Sequence, residues 1–241
     1  MNKIVSKYLN EVQSTNQYLK DYISLDRDNI QNIAIYTDNQ LNGYGKQGRA
    51  WHTEKGHNLS MSVLLKNINS DLISIFALNA TLNTISELTG LQLFAKWPND
   101  ILLDNKKLCG ILCENIYNGD YKYTIIGIGV NVNNSDFPSD LAHKATSLYY
   151  KTGRAWDIDK LFECILSTFE VALANFDVIN ALQQYRKSCL NIGKNIEIIV
   201  NKESMQGKVL AIDDKGHLLV DHGDRIKAYA GGEVSLFYEG L

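Results

Sequence analysis

The sequence predicts an α+β domain over residues 1–190, followed by a small β-barrel over residues 191–241. Two observations support this fold class. Before residue 190, strand-like segments joined by short turns occur together with helices that have one apolar side, whereas after Asn191 only short strands and turns follow. The chain has 241 residues, 45% of them hydrophobic, and is therefore long enough to bury the core that this arrangement needs.

The elements before residue 91 follow from helix caps and hydrophobic spacing. Ser14-Thr15-Asn16 are residues that cap helices, so a first helix is predicted directly after them. Residues 33–37 are a β-prone run, and residues 59–65 alternate with period two, so each predicts a strand. Ser70 can cap a helix to about Leu88, in which apolar residues recur near helical spacing.

From Leu91 the sequence predicts a meander of antiparallel strands and then two helices. The meander strands are predicted at residues 93–97, 101–103, 108–114 and 123–132, with turns at 104–106 and 118–120. Helices are predicted at 157–175, where apolar residues recur every fourth position, and at 178–190. The barrel strands are predicted at 195–200, 206–213, 217–221, 226–230 and 234–238.

Composition argues against several classes of function. The chain has 24 Lys and Arg against 27 Asp and Glu, a net charge of −3, so it lacks the basic excess that binds a nucleic-acid backbone. No apolar run approaches the roughly 18 to 20 residues of a membrane span, and the first residues lack the apolar core of a signal peptide. Four cysteines are too sparse for a disulfide framework. These features predict a cytoplasmic protein with no DNA or membrane partner.

A metal site built from cysteine or histidine is not predicted. Cys109 and Cys113 are four residues apart in a predicted strand, lack CxxC spacing and have no nearby histidine. They are therefore predicted to be buried thiols. A metal in this protein would be a hard cation bound to carboxylate and phosphate oxygens.

The segment Gly43–Gly48 matches the literal pattern GxGxxG of dinucleotide-binding proteins. That fingerprint requires a helix beginning within the glycines, whereas here the chain continues through Gly56 into an alternating strand, which argues against dinucleotide binding. Glycines beside Lys46, Arg49 and Trp51 suit a loop whose backbone N–H groups approach an anion. A solvated turn between two strands is the alternative interpretation.

The predicted strand at 123–132 has one face almost without side chains. Strand parity places Gly127, Gly129 and Asn131 on this face together with Ile125. Glycine weakens a strand, so a pair on one face indicates the close approach of a flat ligand, with close packing of another backbone as the alternative.

The segment Lys96-Trp97-Pro98-Asn99-Asp100 is predicted to be a rigid turn, because proline restricts the backbone. Asn99 and Asp100 could offer oxygens to a divalent cation, and a hairpin with a capping Asp is the alternative. Lys107, at the start of the next strand, is either a solvated turn lysine or a cation that neutralises a carboxylate or phosphate.

Taken together, six motifs in this order resemble the biotin protein ligase family over nearly the whole chain. They are Ser14-Thr15-Asn16, Gln40–Trp51, Lys96–Asp100, Lys107–Leu112, Gly127–Asn131 and Gly231-Gly232-Glu233. The resemblance implies an SH2-like catalytic domain with a mixed or antiparallel sheet and flanking helices, and an SH3-like C-terminal domain. It also implies ATP and Mg²⁺, biotin as substrate, a biotin carboxyl carrier domain of a carboxylase as acceptor, and a possible homodimer.

The resemblance also implies a role for each matched residue. Biotin binding is implied for Ser14, Thr15, Asn16, Gln40, Gly43, Tyr44, Gly45, Lys46, Lys107, Gly110, Gly127 and Gly129. ATP binding is implied for Lys46, Arg49, Trp51, Asn99 and Asn131, and Mg²⁺ binding for Asp100. Catalysis is implied for Lys107, Lys46 and Arg49, which would offset the repulsion between the biotin carboxylate and ATP.

The sequence departs from the family pattern in two places. Tyr44 and Lys46 occupy positions that are usually arginine, and the second is associated with retention of the activated intermediate. Lysine keeps the charge but loses the bidentate geometry of a guanidinium group, so the strength of retention stays open. Only 13 residues precede Ser14, whereas family members that also act as repressors carry a winged-helix domain there, which predicts a ligase-only form.

Three other functions are weighed against a biotin ligase. A lipoate- or octanoate-protein ligase or transferase shares the catalytic fold, but Gln40 and the order of the six motifs favour biotin. A non-catalytic biotin-binding protein is disfavoured because Lys107, Asn99 and Asp100 are present. A nucleic-acid-binding barrel is disfavoured by the net charge and by the absence of a basic-aromatic stripe.

Overall fold

The computed structural model describes residues 4–25, 30–68 and 70–236, and its main feature is a seven-stranded mixed sheet. The strands are β1 (Val5–Tyr8), β2 (Ile33–Thr37), β3 (Asn58–Lys66), β4 (Phe94–Lys96), β5 (Asp100–Leu103), β6 (Lys106–Asn118) and β7 (Tyr121–Asn131). They lie in the order β1-β2-β3-β7-β6-β5-β4. β1 and β2 are parallel, and every other neighbouring pair is antiparallel.

Five helices and a second sheet complete the described chain. The helices are α1 (Thr15–Leu25), α2 (Ile73–Thr89), α3 (Leu148–Thr152), α4 (Ile158–Asn175) and α5 (Val178–Ser188). The second sheet contains β8 (Asn195–Val200), β9 (Glu203–Ile212), β10 (Leu218–Asp221), β11 (Ile226–Tyr229) and β12 (Glu233–Leu236). This sheet is antiparallel throughout, in the order β11-β10-β9-β8-β12. None of the helices in the described ranges is long and apolar enough to cross a membrane.

The two faces of the large sheet bury different clusters because strand side chains alternate. On β7, Ile126, Ile128 and Val130 face the main core, which contains residues of α2 and α4. Ile125 faces the opposite side and packs in a smaller cluster with Leu19 of α1. Since α1 covers only part of that side, the rest of the face is available to line a cavity.

Most of the predicted elements are confirmed. These include the first helix, the strands at 33–37 and 59–65, the meander, the two later helices and the five C-terminal strands. The helix predicted from Ser70 begins instead at Ile73, with Leu72 as its N-cap residue. The Ser70 hydroxyl accepts the N–H of Leu72 (3.2 Å) and therefore closes a turn before the helix. The strand β1 and the short helix α3 were not predicted. The last two residues of the strand predicted at 234–238 lie outside the described residues.

The C-terminal sheet packs directly against the first part of the chain. Its apolar side chains, such as Ile198 and Val220, belong to the same buried cluster as those of α2 and α4. Two polar contacts add to this packing: the Trp97 indole N–H donates to the Gly216 carbonyl (3.1 Å), and the Arg186 Nε donates to the Ile212 carbonyl (2.8 Å). The predicted boundary at 190/191 falls between α5 and β8, and it stays a prediction.

Candidate active site

A cavity of about 780 Å³ lies against the face of the large sheet beyond the N-terminus of α1. Its walls come from the start of α1, the loop at 44–52, the centre of β6 and β7, the β4–β5 turn, the segment 137–145 and the start of β12. Of the residues predicted to bind substrates, all except Gly43 line it. Gly43 lies just behind, where a side chain would collide with Gln40. The structure therefore brings the dispersed motifs together, while their individual roles stay predictions.

One end of the cavity is built from buried hydroxyl and amide groups. The Gln40 Oε1 accepts the backbone N–H of Thr15 (2.9 Å), the first residue of α1. The hydroxyl groups of Thr15 and Ser62 are 2.7 Å apart, and the Ser62 hydroxyl is 2.6 Å from Asn16 Oδ1. Thr15, Asn16, Gln40 and Ser62 are all less than 10% exposed. This end can therefore offer oriented hydrogen bonds to a polar ligand in a dry environment.

Behind this polar end lies a charged group that the sequence analysis missed. Glu114, on β6, accepts from Lys20 (2.7 Å), Asn16 (2.8 Å) and the Tyr44 hydroxyl (3.1 Å). Burial alone would raise the pKa of Glu114, but the hydrogen bonds from Lys20 and Asn16 outweigh it, so that the pKa is lowered. Lys20 and Asn16 are four residues apart on α1 and so share one helix face, a spacing that the sequence does contain.

The glycines of β6 and β7 form the floor of the cavity, as the parity of β7 predicted. Their missing side chains make room for two other residues rather than for a neighbouring backbone. The Asn16 amide lies over Gly127, and the Trp51 ring lies over Gly129, where a Cβ atom would come within 2.6 Å of Trp51 Cε2. Gly110, which pairs with Gly129 across the strands, has Lys107 and Trp51 above it.

The other end of the cavity is cationic. The Lys107 ammonium forms an ion pair with Asp100 Oδ1 at 2.7 Å and lies 5.3 Å from the centre of the Trp51 ring. Lys96 lines the same region and was given no role from sequence. Burial and the Lys107 charge lower the pKa of Lys96, although Asp100 partly opposes this. An anion placed here would relieve the crowding of positive charge.

The glycine loop folds as a small hairpin and reaches the C-terminal sheet. Tyr44 and Ala50 form a β-bridge, and Lys46–Gly48 form a single 3₁₀ turn that leads on to β3 and not to an α-helix. This geometry agrees with the argument against dinucleotide binding, because no α-helix begins within the glycines. Arg49 forms an ion pair with Glu233, and a side chain at Gly231 would come within 3.0 Å of the Lys46 ammonium. Burial, and next the charge of Arg49, lower the pKa of Lys46.

Two residues predicted to bind ATP also hold the backbone together. Asn131 accepts from Asn58 (3.0 Å) and donates to the Thr146 carbonyl (3.0 Å), so that it fixes the end of β7. Asn99 donates to the Ile111 carbonyl and its own carbonyl accepts from the Ile111 N–H (2.9 Å). Both side chains line the cavity, but these contacts already account for part of their hydrogen-bonding capacity.

Cys109 is a buried thiol, as predicted, whereas the side chain of Cys113 is only partly buried. Cys109 is fully buried, and burial raises the pKa of Cys113 to about 12. Neither thiol therefore supplies a thiolate near neutral pH. Within residues 4–25, 30–68 and 70–236, no group of three or more His, Cys, Asp or Glu residues is arranged to hold a metal ion.

Comparison with known proteins agrees with this architecture. Residues 8–131 match the model of the biotin/lipoate A/B protein ligase family, and residues 192–236 match the biotin protein ligase C-terminal domain. The bifunctional ligase/repressor BirA of Bacillus subtilis (strain 168) is 34% identical over 218 residues, which are 86% of this chain and 66% of that protein. The chain therefore spans just under two thirds of the length of that relative.

Two further relatives match over more of their length. The biotin–[acetyl-CoA-carboxylase] ligase of Mycobacterium tuberculosis is 26% identical over 216 residues, 85% of this chain and 79% of that protein. The structure of the biotin protein ligase from Aquifex aeolicus in complex with biotin and ATP aligns with a TM-score of 0.83 at 28% identity, covering 97% of this chain and 98% of that one. The mixed α+β domain with its small C-terminal β domain is thus the biotin protein ligase fold. The chain belongs to the biotin/lipoate A/B protein ligase family.

Proposed function

We propose that this protein is an ATP-dependent ligase that activates biotin as biotinyl-5'-adenylate and transfers the biotinyl group to a lysine of a biotin carboxyl carrier domain. One observation carries the proposal: a single cavity has buried amide and hydroxyl groups at one end and ammonium groups at the other, with a glycine floor between them. Biotin has a ureido group at one end and a carboxylate at the other. The two ends of the cavity match this polarity.

In the first step, a carboxylate oxygen of biotin attacks the α-phosphorus of ATP, and the bond from that phosphorus to the β-phosphate oxygen breaks. Pyrophosphate leaves, and a mixed anhydride of biotin and AMP remains. Both reactants are anions, so their approach needs positive charge. Lys107 faces the cavity beside the glycine floor, Lys96 lies near Lys107, and Lys46 lines the cavity from the glycine loop. Burial lowers the pKa values of Lys96 and Lys46. These ammonium groups stabilise the charge that develops on the transferred phosphate.

In the second step, the neutral amine of the carrier lysine attacks the carbonyl carbon of the anhydride. The C–O bond to the phosphate breaks, AMP leaves, and the amine loses its proton to solvent as the amide forms. No side chain has to supply a covalent intermediate, so orientation of the two reactants accounts for much of the rate. The relative from Mycobacterium tuberculosis is named as a biotin–[acetyl-CoA-carboxylase] ligase, which supports a carboxylase as the source of the carrier domain.

The donor set fits a Mg²⁺ ion that arrives with the nucleotide. Mg²⁺ is usually held by one or two carboxylates together with substrate phosphates, and Asp100 is a carboxylate that lines the cationic end of the cavity. One Asp100 oxygen lies against Lys107. We therefore propose that Asp100 holds the ion, which would supply additional positive charge to the phosphates when bound.

Free cysteines support a reducing compartment. All four cysteines are unpaired, and Cys109 and Cys189 are buried. Disulfides are rare in the cytosol, where thiols are kept reduced. We propose the cytoplasm as the place where the protein acts.

A lipoate- or octanoate-protein ligase of the same family is the second candidate. The buried polar end of the cavity favours biotin over both, because a dithiolane ring or an alkyl chain would leave these hydroxyl and amide groups without partners.

A mass measurement tests the proposal against this second candidate. A biotin carboxyl carrier domain and, separately, a lipoyl domain are incubated with the protein, ATP, Mg²⁺, biotin and lipoate. A gain in mass equal to one biotinyl group on the carrier domain alone is expected. A lipoyl gain would move the assignment to the second candidate. If neither domain gains mass and no pyrophosphate is released, the protein is not a ligase.

A further inference from the structure

Glu114 lies behind the cavity, and the reaction described above gives it no role. We propose that Glu114 is a positioning residue whose negative charge fixes the direction of the hydrogen bonds that run from Asn16 through Ser62 to Thr15. We call Glu114, Asn16, Ser62 and Thr15 the directed chain. Their direction decides which donors and acceptors meet the ureido group of the substrate, and in this respect the inference rests on the proposed function.

The first link of the directed chain is set by the chemistry of a carboxylate. An ionised carboxylate can only accept hydrogen bonds, so the Asn16 atom that lies 2.8 Å from Glu114 Oε2 must be the NH₂ group. The Asn16 Oδ1 therefore faces the other way, towards Ser62 at 2.6 Å. Because Gly127 has no side chain, the Asn16 amide has room to lie flat against β7 in this orientation.

The second link follows from the single hydrogen of the Ser62 hydroxyl. Since Asn16 Oδ1 can only accept, the Ser62 hydroxyl must donate to it. Ser62 is then an acceptor towards Thr15, and the Thr15 hydroxyl donates to it across 2.7 Å. The Thr15 hydroxyl also lies 3.2 Å from Gln40 Oε1, but its one hydrogen is taken by the nearer Ser62 oxygen. The Gln40 Oε1 receives the backbone N–H of Thr15 instead, at 2.9 Å.

The directed chain therefore presents a defined pattern to the cavity. Thr15 Oγ1 keeps its lone pairs for a donor, whereas the Gln40 oxygen is engaged and the Gln40 NH₂ group lies against Gly43. A ureido group has N–H donors on both sides of a carbonyl, so the free lone pairs of Thr15 Oγ1 are complementary to one of these donors. If the Glu114 charge were replaced by an amide, the Asn16 amide could rotate by half a turn and the direction of every later bond could reverse. Thr15 Oγ1 would then accept from Ser62 and lose a lone pair to that bond.

The surroundings of Glu114 keep it ionised and in place. Lys20 pairs with Oε1 at 2.7 Å, and Tyr44, from the glycine loop, donates to Oε2 at 3.1 Å. The Lys20 ammonium also lies 5.3 Å from the centre of the Tyr44 ring. The Glu114 side chain is 25% exposed, so water can reach it without disrupting the directed chain, whose Ser62 is fully buried.

A double-mutant cycle tests whether Glu114 acts through the directed chain. The biotin Kd is measured by titration calorimetry for the wild-type protein, Glu114→Gln, Ser62→Ala and the double variant. Glu114→Gln should raise the Kd by about tenfold or more, because a charged hydrogen bond is lost and the pattern is scrambled. In the Ser62→Ala background the chain is already cut, so Glu114→Gln should add less than about threefold. If the two single substitutions change the Kd by factors that simply multiply in the double variant, Glu114 and Ser62 are not coupled and the inference is overturned.

Two further variants distinguish an effect of the hydrogen-bond direction from an effect of the contacts that hold Glu114 in place. Tyr44→Phe removes a hydrogen bond to Glu114 but cuts no link of the directed chain, so its effect on the Kd should be the same with and without Ser62→Ala. Lys20→Met removes the ion pair and leaves the carboxylate, and it should keep the Kd within about threefold of the wild-type value. A loss with Lys20→Met as large as that with Glu114→Gln would show that the ion pair matters and not the direction. If Glu114→Gln did not fold, a rise in the Kd well above threefold with Lys20→Met would still overturn the inference. Glu203→Gln, on an exposed part of β9, is the surface control.

The mass measurement on the carrier domain keeps the two proposals apart. If the wild-type protein biotinylates the carrier but the cycle shows no coupling, the inference fails and the proposed function stands. If the wild-type protein binds biotin with coupling in the cycle but transfers nothing, the proposed function fails and the directed chain stands. A wild-type protein that binds no biotin would overturn both.

Discussion

Among single side chains, Lys107 contacts several of the groups proposed to take part in the reaction. It pairs with Asp100, lies beside the Trp51 ring and covers Gly110. Lys107→Ala should lower the rate of biotin-dependent pyrophosphate release by a factor of about 10² to 10³, because a preorganised positive charge is lost. The far-UV circular dichroism spectrum should be unchanged, since the side chain is partly exposed.

The matched control for this prediction is Lys160→Ala, because Lys160 is an exposed lysine near the start of α4. It should release pyrophosphate at the wild-type rate. Near-normal pyrophosphate release from the Lys107 variant would show that this lysine does not act on the developing charge.

The lowered pKa of Glu114 makes a second prediction at the scale of a residue. A carboxyl group whose pKa is lower in the folded than in the unfolded protein stabilises the fold above its ordinary pKa of 4.5, and this stabilisation is lost as the pH falls through the folded value. The urea midpoint of the wild-type protein should therefore fall as the pH is lowered below about 4.5. Glu114→Gln should show a smaller fall over the same range, and an identical fall would contradict the assigned pKa shift.

Sequence reasoning found the residues that line the cavity but not those that hold them. Thr15, Gln40 and Lys107 stand in motifs whose residue types already indicate polar or ionic contacts. Ser62, by contrast, is one polar position in an alternating strand, where a solvent-facing side chain is the usual interpretation. Glu114 and Lys20 are 94 residues apart, and nothing local in either segment indicates that they meet. Long-range polar partners are set by the packing of α1 on the sheet, which the sequence does not display.

At the scale of an element, the bare face of β7 supports two neighbouring parts of the cavity, one proposed to bind biotin and the other ATP. Gly127 lies under Asn16 and Gly129 lies under Trp51, about 7 Å further along the strand. Gly129→Ala should displace the Trp51 ring and raise the KM for ATP by about tenfold, with a smaller effect on the KM for biotin. Gly127→Ala should do the reverse, because the new methyl group collides with the Asn16 amide.

The reciprocal pattern is what distinguishes these two effects from a general loss of stability. Both KM values should be measured for both variants, along with their thermal midpoints. Equal increases of both constants in both variants would mean that the strand as a whole was distorted, and would contradict the separate roles of Asn16 and Trp51.

Elements with strong periodicity were predicted well, and short ones were not. The helix α4 buries one stripe of residues, including Leu161, Ile165 and Phe169, so its spacing alone identifies it. The strand β1 has four residues that are all exposed, so it has no alternation to detect, and it is defined by parallel pairing with β2. The helix α3 has five residues and depends on a Ser147 cap, which is too little sequence to distinguish it from a turn.

At the scale of the whole molecule, the proposed active site depends on the C-terminal sheet. The segment at 232–235 lines the cavity, Glu233 pairs with Arg49 of the glycine loop, and the Trp97 indole is bonded to Gly216. The turn that carries Asn99 and Asp100 is thus held from outside the first domain. The sequence predicted the α+β domain and the C-terminal barrel but not the contact between them, because the apolar faces that form this contact carry no recognisable sequence motif.

Continuity of the buried cluster predicts that the two parts unfold together. Side chains of β8 to β12 and of α2, α4 and α5 form one cluster, so exposing either part to water would uncover apolar surface of the other. Hydrogen exchange should therefore give the amides of β8–β10 the same free energy of opening as those of β6 and β7. Trp97→Phe, which leaves the Gly216 carbonyl without its donor, should lower both values together by about 1 kcal/mol. Earlier opening of β8–β10 alone would show that the C-terminal sheet is an independent unit and that its contacts with the site form only after both parts have folded.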